Sequence, residues 1–119
     1  RHLRSSRLHP RLCYAHHPGS REAEAFRSIR TALLFSCQEQ GVRLLQFSSA
    51  EPGDGKTTTI SNLAVAVAQS GKKVLLVDAD MRRPTVHDMF RLSQEAGLSD
   101  ILVGDIEWQN VVKSTPFAT

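Results

Sequence analysis

A chain of 119 residues, 40% of them hydrophobic, has room for one globular domain or a large part of one. Its formal charge of +3 is uneven, because residues 1–20 hold Arg1, Arg4, Arg7 and Arg11 and no acid, so the basic balance describes the N-terminus and says little about the rest of the surface. No run approaches the ~20 apolar residues of a membrane span and no signal peptide is legible. Cys13 and Cys37 stand apart with no histidines at metal-ligand spacing, which suits a reduced intracellular protein.

Residues 1–19 show no steady period, hold two prolines and are expected to form a basic linker or tail. Arginines interleaved with Leu3, Leu8 and Leu12 could attract anionic lipid or nucleic acid, although a solvated linker is the simpler reading. His16-His17 lacks a third ligand and carries little weight as a metal site. The chain opens on Arg1 and not Met, so further sequence upstream is expected.

Ser20 can cap a helix running to about Cys37, with Glu22 and Glu24 in the first turn where the helix dipole favours acids. Phe26, Ile29 and Leu33 fall at i, i+3, i+7 and predict its apolar stripe. Beside it Glu24, Arg27 and Arg30 step along at intervals of three. That arc is either a solvated face with one weak ion pair or a subunit contact, and spacing does not choose between them.

Gln38 to Gly41 breaks the helix, and Arg43 to Ser48 predicts a buried parallel strand. Ala50-Glu51-Pro52-Gly53-Asp54-Gly55-Lys56-Thr57-Thr58 follows, then a helical pattern from Thr57 to Ser70. Strand, glycine-rich turn and helix are the context of a phosphate-binding P-loop. Gly53 and Gly55 let the backbone curl so that N–H groups point at phosphate oxygens, and the helix N-terminus adds its unpaired donors. Asp54 and Thr58 complete the nucleotide-contacting stretch. Lys56 supplies charge to the β- and γ-phosphates, and the Thr57 hydroxyl is placed to ligate Mg²⁺. Ala50 replaces the motif's first glycine. The plain alternative is a Gly/Asp turn before an ordinary helix.

The helix's apolar face is expected at Ile60, Leu63, Ala64, Val67 and Ala68, with Gly71 ending it. Val74 to Val77 predicts a second apolar strand, making a right-handed βαβ unit. Its end carries Asp78 and Asp80, which alternation aims to one side, towards the P-loop. Such a pair suits Mg²⁺ orientation and activation of a hydroxyl, and the structural alternative is a capping or turn aspartate. Short helices are predicted over Thr85 to Leu92 and Ser99 to Val103, and a possible strand at Val111-Val112. Ile101 to Asp105 resembles a Walker B strand only faintly, because Gly104 is out of place and Leu98, Ile101 and Leu102 fit a helical face.

With these motifs in hand, the chain resembles the bacterial tyrosine kinases of capsule and exopolysaccharide export, within the wider class of ParA/MinD-like P-loop ATPases. Glu24, Arg27 and Arg30 match the E-x-x-R-x-x-R helix, Ser49 to Thr57 the Walker A motif, and Val77 to Pro84 the Walker A′ motif, with Gly97 to Leu102 following. The resemblance runs from about Ser20 to the end and implies an α/β P-loop NTPase fold, a parallel sheet flanked by helices. Residues 20–119 would be the front part of the kinase domain, truncated before Walker B, whose aspartate strand and tyrosine cluster are expected beyond Thr119. It further implies ATP and Mg²⁺ as cofactors and autophosphorylation of tyrosines on a neighbouring subunit. In the carry-over Lys56 holds phosphates, Thr57 binds Mg²⁺, Asp78 activates the acceptor hydroxyl and Asp80 supports the metal. Glu24, Arg27 and Arg30 would mediate ring-shaped self-assembly. The implied partner is a membrane-embedded polysaccharide chain-length regulator, and the implied location is cytoplasmic, at the inner face of the membrane. Nucleic acid is not an expected partner. The alternatives are a partition-type nucleotide switch, whose early signature lysine is replaced here by Glu51-Pro52, and a non-catalytic assembly module.

Overall fold

The computed structural model describes residues 8–48, 55–115 and 117. Among the described residues five α-helices follow in order: α1 (Cys13–His16), α2 (Arg21–Gln40), α3 (Lys56–Gln69), α4 (Val86–Met89) and α5 (Leu98–Leu102), then a 3₁₀ turn at Trp108–Asn110. No helix among the described residues is long and apolar enough to cross a membrane.

Ser20 caps α2 as its position implies: its Oγ accepts from the Ala23 N–H at 3.1 Å, satisfying one of the first-turn donors. The helix continues past Cys37 to Gln40, and Gly41 closes it with φ 68°, a left-handed turn that suits a residue without a β-carbon. Phe26 and Leu33 are half-buried as expected, but Ile29 is 46% exposed. Each helical step turns about 100°, so Ile29 lies to one side of Phe26 while Ala23, Arg30 and Cys37 lie to the other. The inward face is rotated towards the latter set.

The reason for that rotation is the segment expected to be a tail. Leu8, Leu12 and Tyr14 are buried and join Ala23, Val65, Ala66, Met89 and Phe90 in the hydrophobic core. Residues 8–17 are therefore not a solvated linker. Asn62, fully buried on α3, holds them in place: its Oδ1 accepts from the Tyr14 N–H at 3.0 Å and its Nδ2 donates to the Arg11 carbonyl at 2.9 Å. Nδ2 also donates to the Thr58 carbonyl at 2.8 Å, and the Cys13 thiol approaches Oδ1 at 3.6 Å. Burial, more than the nearby charge of Glu22, pushes the Cys13 thiol above its ordinary pKa.

The α3 helix is buried beyond the single face expected of it. Ser61, Asn62, Leu63, Val65 and Ala66 are all buried, because α1 and α2 cover one side and α4 another.

The two expected strands are not observed as strands. Residues 42–48 and 72–80 carry no regular secondary structure, there is no β-ladder among the described residues, and no backbone hydrogen bond joins the two segments. Leu44 is 88% exposed and Leu75 63%, and Leu45, Phe47, Val74 and Val77 are also exposed, while Leu76 packs on the core. Apolar strands of this kind are stable only with paired neighbours and cover on both faces. Val111-Val112 is likewise not a strand: Val111 follows the 3₁₀ turn. Leu98 to Leu102 is helical, as its periodicity implies, which excludes the Walker B reading of Ile101 to Asp105.

Candidate functional site

Helix α3 begins at Lys56, and Gly55 stands as its N-cap with φ 77° and ψ 15°. A β-carbon is disfavoured in that left-handed conformation, so glycine is the residue this entry to the helix requires. Lys56 is exposed, and Thr57 and Thr58 are half-buried on the first turn. Of the other P-loop residues, Ala50, Glu51, Pro52, Gly53 and Asp54 lie outside the described residues.

Thr57 Oγ1 lies 2.9 Å from Oγ1 of Thr85, which follows segment 72–80 in the chain. That segment folds back on itself through two carboxylates. Asp78 Oδ2 accepts from the Thr85 N–H at 3.0 Å and the Val86 N–H at 3.1 Å, placing an anion at the start of α4. Its Oδ1 accepts from the Asp80 N–H at 3.1 Å. Asp80 Oδ1 in turn accepts from the Arg83 N–H at 3.0 Å and the Arg82 N–H at 3.2 Å, the local closure that short acidic side chains make in turns. The Arg83 N–H, with help from the Arg82 N–H and the charges of Lys56 and Arg83, holds the Asp80 carboxyl below its ordinary range.

Both aspartates thus hold the turn together. A carboxylate has about four lone-pair positions, so one remains on Asp78 Oδ1, and Oδ2 of Asp80 accepts no hydrogen bond among the described residues. The donor set is hydroxyl and carboxylate oxygen, the hard chemistry that Mg²⁺ takes together with phosphate oxygens and water. Among the described residues no group of three or more His, Cys, Asp or Glu could hold a metal without such help. Mg²⁺ therefore fits as a companion of bound phosphates.

A mostly apolar cleft of about 930 Å³ is lined by Val74–Val77, Phe90, Leu98 and Trp108 among others, with Asp78 and Asp80 also in its wall. Lys56 and Thr57 do not line it, so it is not the phosphate pocket.

The charged arc of α2 is not a free face. Arg27 Nη1 pairs with Glu24 Oε2 at 2.7 Å, its Nη2 donates to the Pro18 carbonyl, and its guanidinium sits 5.3 Å from the Tyr14 ring centroid. Arg30 Nη1 donates to Tyr14 Oη and to the Ala66 carbonyl, each at 3.2 Å. Glu24 is exposed and both arginines are half-buried. Three contributors escaped the motif reading: Thr85, Asn62 and Tyr14. Only Thr85 had a local signal, its place just after Pro84 at the head of a helical pattern.

A family described as AAA domain matches residues 42–119. The tyrosine-protein kinase YwqD of Bacillus subtilis (strain 168) is 40% identical over 112 residues, which cover 94% of this chain and 47% of that protein. The tyrosine-protein kinase etk of Escherichia coli (strain K12) is 42% identical over 96 residues, covering 81% of this chain and 13% of that protein. Among solved structures, the crystal structure of the chimerical protein CapA2B2 is 38% identical, with a TM-score of 0.79 over 92% of this chain and 48% of that one. The chain thus spans about half the length of YwqD. It belongs to the AAA domain family, with a P-loop NTPase fold, and its relatives are bacterial proteins named tyrosine-protein kinases.

Proposed function

We propose that residues 20–119 are the front part of a protein-tyrosine kinase domain that binds Mg·ATP and passes the γ-phosphoryl group to tyrosine. The observation that carries this reading is the Thr57–Thr85 contact, with Asp78 behind it, which brings the Walker A helix and the Walker A′ turn to one corner. The names of the relatives supply the acceptor class. Phosphoryl transfer needs chiefly positioning and charge neutralisation. Lys56 holds phosphate oxygens, and Gly53, Asp54, Gly55 and Thr58 belong to the same nucleotide-contacting stretch of sequence. The Thr57 hydroxyl binds Mg²⁺, and Asp80 supports the hydrated metal. Asp78 uses its remaining Oδ1 position to orient the acceptor hydroxyl and receive its proton.

Bound Mg²⁺ would neutralise charge that develops on the transferring group. The full domain would complete a parallel sheet in which segments 43–48 and 74–77 are inner strands. The biological role is control of capsular or exopolysaccharide synthesis, alongside a membrane-embedded chain-length regulator at the inner membrane face. Rings of subunits, contacting through Glu24, Arg27 and Arg30, would present tyrosines to a neighbour's site.

The test is tyrosine labelling of the full-length protein with Mg·ATP. Lys56→Met removes the labelling and leaves the melting temperature unchanged. Labelling that survives Lys56→Met overturns the site.

A further inference from the structure

Thr85 joins two parts of the site that are 28 residues apart in sequence. Its backbone N–H is held by Asp78 Oδ2 at 3.0 Å, and its side-chain oxygen lies 2.9 Å from Thr57 Oγ1. A hydroxyl has one proton and two lone pairs. If Thr57 presents a lone pair to a cation, its proton must point elsewhere and needs an acceptor. If Thr85 instead donated to Thr57, it would take the second lone pair, add a positive pole to an oxygen already facing the cation, and leave the Thr57 proton without this acceptor. Coordination settles the direction, because a hydroxyl bound to a divalent cation becomes a stronger donor.

We infer that Thr85 is a positioning residue for Mg²⁺: its hydroxyl accepts the Thr57 proton and so aims the Thr57 lone pair at the metal. This rests on the nucleotide-binding reading above. The acceptor is held in place by Asp78, which gathers the N–H groups of Asp80, Thr85 and Val86 and so closes residues 78–86 into one loop. Asp78 thereby influences the metal through Thr85 as well as by any direct role. Outer partners that orient a metal ligand commonly matter nearly as much as the ligand itself.

Two substitutions separate the hydroxyl from the rest of the residue. Thr85→Val keeps the shape and the backbone N–H to Asp78 and removes the hydroxyl. Thr85→Ser keeps the acceptor and removes the methyl. Thr85 is exposed, so neither change burdens the core. The readout is fluorescence of N-methylanthraniloyl-ADP bound to the full-length protein, measured in EDTA and over a MgCl₂ titration. Thr85→Val should raise the half-saturating Mg²⁺ concentration by about 10- to 100-fold. Its nucleotide affinity in EDTA should stay that of the unsubstituted protein, and Thr85→Ser should titrate with Mg²⁺ almost normally. An unchanged Mg²⁺ titration in Thr85→Val overturns the inference. So does an affinity loss equal in EDTA and in Mg²⁺, or a Thr85→Ser protein as impaired as Thr85→Val. An unsubstituted protein that binds the nucleotide not at all overturns the proposed function itself, which distinguishes the two failures.

Discussion

Residues 8–17 carry Arg11 and three histidines, yet Leu8, Leu12 and Tyr14 within them are buried in the core. Segments 43–48 and 74–77 hold seven large apolar residues among ten, yet all of these but Leu76 are exposed. The difference lies in the backbone. Burying a peptide group without a partner costs more than the adjoining side chain gains. The N-terminal segment has partners: Asn62 answers the Tyr14 N–H and the Arg11 carbonyl, and Arg30 answers Tyr14 Oη. Segments 43–48 and 74–77 have no such partners in each other, so most of their apolar side chains stay at the surface. Hydrophobicity supplies the drive to bury, and hydrogen-bond partners decide which stretch can follow it.

The strongest way to break this comparison is at Asn62. Asn62→Ala removes one side chain that answers three backbone groups, those of Tyr14, Arg11 and Thr58. Leaving buried donors and acceptors unpaired should cost about 3 kcal/mol. Urea denaturation of the full-length protein should show a lowered midpoint. A second sign is faster alkylation of Cys13, whose thiol burial pushes above its ordinary pKa and which would be released with the segment. A midpoint unchanged by Asn62→Ala would mean that the segment is held by side-chain burial alone.

Arg30 comes next. Its guanidinium binds Tyr14 Oη and the Ala66 carbonyl, so Arg30→Ala should lower stability by about 1 to 2 kcal/mol. Tyr14→Phe, which removes only the hydroxyl, should cost about 1 kcal/mol. This bears on the proposed ring. Reversing Arg27 and Arg30 to Glu would weaken the fold as well as any contact between subunits. Sedimentation must therefore be read beside a melting curve: if assembly is lost while melting matches that of Arg30→Ala, the arginines serve both ends.

How much of this was legible follows from the same contrast. The α2 start at Ser20 and the helix entry after Gly55 were readable, because each is set by neighbours within a few residues, while the Asp78–Asp80 turn had been only the plainer alternative to a metal-binding pair. Capping, a glycine-rich turn and an Asx-type closure are local chemistry. The docking of Leu12 and Tyr14 was not readable, because the residue that enables it, Asn62, lies on another helix and carries no motif. The orientation of Ile29 failed for the same reason: periodicity finds a face, and the neighbours choose where that face is centred. Strands were expected from apolar runs, but a strand is a pairing relation, and composition does not supply the partner.

A smaller effect is expected from acid. The Asp80 carboxyl is held below its ordinary value chiefly by the Arg83 N–H, so its folded-state pKa is depressed. A depressed acid contributes stability above the unfolded value of about 3.9 and loses it as pH falls through the folded value. Asp80→Asn should therefore flatten the acid limb of a melting-temperature profile below about pH 4. At neutral pH it should act on Mg²⁺-dependent nucleotide binding more than on melting. An acid limb identical in both proteins would show that the Arg82 and Arg83 contacts add nothing to folding.

The smallest expected effect is at Leu44. With 88% of its surface in solvent, it has almost no burial to lose, so Leu44→Lys in the 119-residue chain should change stability by no more than about 0.5 kcal/mol. It should also slow aggregation, since a lysine on an unpaired apolar segment discourages strand addition from another molecule. The same substitution in the full-length protein examines the proposed parallel sheet. Were segment 43–48 an inner strand there, Leu44 would be covered on its face and the lysine would be forced into an apolar layer. The cost should then rise to about 2 kcal/mol or more, from lost transfer energy and a poorly solvated charge. A cost near zero in both settings would leave segment 43–48 a surface segment and remove the sheet from the proposal. Measuring the pair of midpoints therefore asks of the apolar region what Asn62→Ala asks of the N-terminal one: whether a partner is present.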